Sequence, residues 1–219
     1  MNRGIQVVFI IGALCLLLFV GLPLGLITGL GMLGSGLEAS FEEELQEEQE
    51  ARNAALQEWY DSLPQSQRDF CDVLVDHRAR YNLATNDAQR AIIRKERGKS
   101  LKALGDQVNK WEGTVSRIES TPGGRLILAV TMPSRCDGFR LGTTVSDSSQ
   151  RHWPSLIEAD SELMEAAAKM EVGGRARFSG VLRDDPGGVD GFANLTNSEA
   201  GMMRNGYYEM RFTEIAAVK

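Results

Sequence analysis

Trp111-Glu-Gly-Thr-Val-Ser-Arg-Ile-Glu-Ser-Thr-Pro-Gly-Gly-Arg-Leu-Ile-Leu-Ala-Val-Thr-Met132 is the stretch whose reading decides the fold. Trp111, Gly113 and Val115 alternate on one face of a strand, and the phase slips before Ile118, as it does where a strand bends or bulges. Thr121-Pro-Gly-Gly124 is turn chemistry. Leu126, Leu128, Val130 and Met132 then alternate again, so the stretch predicts a hairpin of two strands. Phe139–Val145 reads as a third, weaker strand. A short helix follows around Ser161–Met170, with Leu163, Ala167 and Met170 inward and Asp160 or Ser161 as its cap. Gly173-Gly174 ends it. Arg175–Leu182 is a fourth strand, and after a glycine-rich loop from Asp184 to Asn194 the segment Tyr207–Val218 is a fifth, with Tyr208, Met210 and Phe212 alternating.

Three strands, a helix and two strands is the order of a small five-stranded OB-like barrel. The elements Trp111-Glu-Gly-Thr-Val115, Val172-Gly-Gly-Arg-Ala-Arg-Phe-Ser-Gly180 and Tyr208-Glu-Met-Arg-Phe-Thr-Glu-Ile215 resemble the tRNA-anticodon-like OB domains of bacterial membrane-anchored or exported proteins. The resemblance covers about half of the chain, and its motifs are structural. It implies a fold and carries over no binding residue.

Upstream of the barrel, residues 37–63 read as a polar helix, a stalk with a sparse stripe of Leu37, Phe41, Leu45, Leu56, Trp59 and Leu63. Ser62 and Pro64 mark a stop and a new start. A second helix follows with Phe70, Val73, Leu74 and Tyr81 on one face. Asn82–Asn86 is a turn, and Asp87 opens a third helix whose basic residues face the acidic helix before it. The expected organisation is therefore an anchor over 1–36, a helical stalk and hairpin over 37–105, and the barrel over 106–219.

The anchor is the run from Ile5 to Leu33, which holds no charged residue and exceeds the ~20 apolar residues a membrane-spanning helix needs. It continues well past signal-peptide length, which favours a retained span over cleavage near Ala39-Ser40. Arg3 on one side and glutamates 42–44, 47, 48 and 50 on the other place the N-terminus inside and the soluble part outside the cytoplasmic membrane. Gly21, Gly25 and Gly29 share one helical face and offer a seam for a homodimer.

The formal net charge of −6 argues against non-specific nucleic-acid binding, which needs a basic surface. Of three cysteines, Cys15 lies within the apolar run. Cys71 and Cys136 are either a disulfide formed in an oxidising compartment or two buried thiols. Neither histidine, His77 or His152, has a nucleophile and orienting group in a recognisable spacing. Metal-ligand pairs are absent from the sequence, and Gly98-Lys99-Ser100 lacks the upstream glycine of a phosphate loop. No catalytic residue, cofactor or metal site is expected. The expected function is a non-enzymatic binding or assembly module engaging a protein or a glycan, with Arg125, Arg140 and Tyr207 as outward candidates. The alternative is a binder of single-stranded nucleic acid.

Overall fold

The structure, a computed structural model, describes residues 27–136, 138–145 and 153–218, with side chains from residue 44 onward, Ser134 excepted. Three helices come first: α1 (Ile27–Ser62), α2 (Gln65–Leu83) and α3 (Asp87–Ala103). They lead into β1 (Gln107–Ser120), β2 (Leu126–Thr131), a 3-10 turn (Ser134–Cys136) and β3 (Arg140–Gly142). Next come α4 (Glu162–Ala167), β4 (Arg175–Leu182), α5 (Glu199–Asn205) and β5 (Tyr207–Ala217). Among the described residues no helix is long and apolar enough to cross a membrane. Most of the charge-free run, with Gly21 and Gly25 of the expected seam, lies outside them. Gly29 lies in α1 at a position whose surroundings are not described.

The strands close into a barrel in the order β1-β2-β3-β5-β4. All neighbours are antiparallel except β3 and β5, which run parallel. A closed five-stranded barrel with one helix between β3 and β4 is consistent with the OB-like arrangement expected from the strand order. The phase slip before Ile118 is a register shift between Val115 and Arg117 against β2. A second shift against β4, between Val108 and Trp111, has Lys110 at φ 54°. The third strand is shorter than Phe139–Val145, because Thr143 and Thr144 leave the β5 ladder to bond Leu128 and Ser155.

The chain divides into two units, Met1–Ala55 and Leu56–Lys219. In the first, residues 44–55 are exposed along α1, as a solvated acidic spacer requires. The second differs from the expected division at 105/106. Phe70, Cys71 and Leu74 of α2 belong to the same apolar core as Trp111, Leu128, Phe178 and Tyr208 of the barrel. Phe70 lies 5.1 Å from the Trp111 ring and 5.8 Å from that of Tyr208. The hairpin shares the barrel's core through these residues and Leu101, while Tyr81 and Ile93 at its other end bury against Met203 of α5.

Polar contacts fix that joint. The fully buried Gln67 accepts from the Glu112 amide at 2.9 Å and donates to the Glu112 carbonyl. Trp111 Nε1 donates to Ser66 Oγ at 3.0 Å. The Glu112 carboxylate accepts from Arg175, Arg177 and Trp59. Burial alone would raise the Glu112 pKa, but these donors outweigh it and hold it below the usual carboxylate value. Gln67→Ala leaves a buried amide and carbonyl without partners, so it is expected to cost about 1–3 kcal/mol, read as a lower urea midpoint at unchanged slope.

Cys71 and Cys136 are joined as a disulfide with Cα atoms 5.3 Å apart, tying α2 to the 3-10 turn. The basic residues of α3 do not mainly face α2, as expected. Among the described residues the ion pair across the hairpin is that of Arg80 with Glu96, and Arg90 lies over the Tyr81 ring of α2. Arg94 and Arg97 instead hold Asp190, and Lys102 holds Asp184. The glycine-rich loop therefore docks on α3. A Cβ on Gly98 would overlap the Val189 carbonyl oxygen, and one on Gly191 the Gly98 carbonyl.

Candidate ligand-binding face of the barrel

Alternation along β5 sends Tyr208, Met210 and Phe212 into the core and Tyr207, Glu209 and Arg211 outward. The parallel register sets Arg140 of β3 beside Tyr207. A Cβ on Gly142 would collide with the Tyr207 hydroxyl and the Leu128 carbonyl, so glycine lets the phenol lie across β3. Its hydroxyl donates to the Thr143 carbonyl at 2.8 Å. Burial pushes this phenol up to about 12, against the opposing charges of Arg117 and Arg140, so it is a neutral donor at physiological pH. The Arg140 guanidinium lies 5.2 Å from the ring centroid.

A second station of the same kind stands further along β5. The Arg211 guanidinium lies 5.0 Å from the Trp153 ring centroid, and Trp153 Nε1 is buried with no hydrogen-bond partner among the described residues. Between the stations, the fully buried Glu209 accepts from Arg183 at 2.7 Å and from Ser155 Oγ at 2.8 Å. Ser155 Oγ in turn accepts from the Thr144 amide. Glu209 is thus committed to fastening residues 153–157 to the barrel. Arg140 and Arg211 are both exposed, and among the described residues neither has a carboxylate within ion-pair distance.

Of the three outward residues expected from sequence, the fold brings Arg140 and Tyr207 together. Arg125 stands apart at the β1–β2 turn, where its Nε donates to Glu158 at 3.0 Å. The face of strands two and three that OB barrels commonly use is also not open along β2. Ile157 pairs with Leu126 through both backbone groups, and Ile127 and Ala129, which point outward, are 5% and 2% exposed. Sequence reading missed Arg211 and Trp153. Arg211 was findable by alternation from Tyr207. Trp153 sits in a polar connection with no period to place it.

His77 is buried, with Nδ1 2.8 Å from the Val73 carbonyl, and His152 lies outside the described residues. Among the described residues no three His, Cys, Asp or Glu side chains converge as metal ligands. Asn194 of the sequence Asn194-Leu-Thr196 accepts from the Thr196 and Tyr207 amides, and its nitrogen is buried. It organises a turn and offers no accessible amide for modification. An apolar notch of about 330 Å³ at the hairpin tip is lined by Leu83, Ala84, Ile92 and Ile93. Comparison with protein-family models, curated proteins and solved structures finds no match to this chain.

Proposed function

We propose that the chain is a membrane-anchored, extracytoplasmic, non-enzymatic binding module whose OB-like barrel works through the outer face of β3 and β5. The observation that carries this reading is the pair of exposed guanidiniums, Arg140 and Arg211. Each is stacked on an aromatic ring, and neither has a carboxylate partner among the described residues. A guanidinium that rests over a ring is partly ordered before it binds and loses less freedom on binding. The charge-free run Ile5–Leu33 supports the anchor, with Gly21, Gly25 and Gly29 as its self-association seam. A Cys71–Cys136 disulfide fits an oxidising compartment. The strand order, with its one parallel pair, is consistent with an OB-like barrel, and the likeness to the tRNA-anticodon-like OB domains of exported proteins rests on the sequence elements alone.

Binding of single-stranded nucleic acid, the alternative reading, depends on open aromatic faces for stacking bases. Here those faces are taken by the chain's own guanidiniums. The test is recovery of full-length, C-terminally tagged protein from mildly solubilised membranes, comparing the wild type with Arg140→Ala/Arg211→Ala. A stoichiometric companion, protein or glycan, held by the wild type and lost by the variant is expected. An identical companion set in both contradicts the reading.

A further inference from the structure

From the geometry of these two stations we infer that the β3/β5 face binds a carboxylate-bearing polysaccharide, a deepening that rests on the binding-module reading above. Tyr207 and Arg211 lie four residues apart on one strand, which separates the stations by about 13 Å. The spacing suits an extended polymer with sparse negative groups. A nucleic-acid strand, with a phosphate at every nucleotide, calls for a continuous basic track, and the chain as a whole is acidic.

An acidic peptide fits less well, for two reasons. The strands close into a barrel, and β3 and β5 pair with each other over residues 140–142 and 207–209, so an extended peptide has no free edge there to pair with. None of the exposed large apolar side chains among the described residues lies within β3 or β5, and Val145 follows the end of β3, so the face offers a protein partner little aliphatic surface to bury. What it does offer are two exposed guanidiniums, and a guanidinium can donate two parallel hydrogen bonds to the two oxygens of a carboxylate. Between them lies the Glu209–Arg183–Ser155 network. In that network the carboxylate is buried beneath its donors and does not repel an approaching anion.

The test uses the full-length chain in detergent with a short oligosaccharide of alternating glucuronate and N-acetylglucosamine, whose carboxylates are spaced by neutral sugars, as probe. Its fully methyl-esterified form, polyglutamate and a thymidine oligonucleotide serve as comparators. Binding of the uronate is expected to weaken with rising salt and to vanish on esterification. Arg140→Ala and Arg211→Ala are each expected to weaken it about tenfold, with Arg125→Ala unchanged and thermal midpoints preserved. Arg140→Lys and Arg211→Lys keep the charge but lose the fork, and are expected to weaken binding several-fold.

Equal binding of the ester, tighter binding of polyglutamate or oligonucleotide, or no uronate binding at all would overturn the ligand class. If a companion is nevertheless lost from the Arg140→Ala/Arg211→Ala protein on purification, the binding-module reading survives and only the ligand class falls. If neither experiment responds to the two arginines, both fall together.

Discussion

Asp190→Ala is expected to destabilise the unit of residues 56–219 by about 3–5 kcal/mol, the cost of leaving a buried charge without its partner. The carboxylate is 4% exposed and accepts from Arg97 at 2.7 Å and from Arg94 at 2.7 and 3.0 Å. Arg97 is fully buried. Its other bonded nitrogen donates to the Met202 carbonyl at 2.8 Å, and its Nε has no partner among the described residues. Without Asp190 the guanidinium keeps one neutral acceptor in a low-dielectric setting, beside a Tyr208 phenol that burial raises to about 12. The loop from Asp184 to Asn194 should then lift from Gly98, and proteolysis should cut there first.

The same carboxylate has a pH signature. Burial would raise the Asp190 pKa, but the Arg94 hydrogen bond and the Arg97 and Arg94 charges overcome it and hold the group below its usual value. A folded-state pKa below the unfolded one makes stability present above the unfolded value, about 3.9, and lost as pH falls through the folded one. Glu112, also lowered, adds in the same direction. Urea midpoints measured downward from pH 7 should hold until about pH 5 and then fall, less steeply in Asp190→Asn than in the wild type.

Removing the disulfide is the second large effect. The bridge spans a sequence separation of 65, and on the chain-entropy account a loop of that size contributes about 4 kcal/mol. Cys71→Ser/Cys136→Ser also places two hydroxyls where both sulfurs are fully buried. At about 2–4 °C per kcal/mol for a domain of this size, the thermal midpoint should drop by roughly 10 °C. Reduction of the wild type should reproduce most of that drop and leave the double variant unaffected.

The barrel was legible because its strands announce themselves. Leu126, Leu128 and Val130 alternate inward, the slip before Ile118 marks a real bulge, and Ser161 caps α4 as a cap residue should. The helix α5 was not legible, being seven residues long with a glycine inside it and no period to read. Neither was the docking of α2 into the barrel core, because an amphipathic helix states that it buries a face without stating against what. Arg97 misled for a related reason. In a helix rich in Arg and Lys it reads as one more solvated cation, and only a chain partner 93 positions away makes it a core residue. The site divides in the same way. Arg140 and Tyr207 follow from strand alternation, whereas the pairing of Arg211 with Trp153 depends on where an aperiodic connection returns to the barrel.

Hydrogen exchange of the full-length chain, measured with and without the companion recovered from membranes, bears most directly on the outer β3/β5 face as the working surface. New protection is expected to be confined to residues 140–145 and 207–211 and to be absent in Arg140→Ala/Arg211→Ala. Protection that falls instead on the hairpin tip around 83–93 or on the loop at 184–191, and survives in the variant, would contradict it.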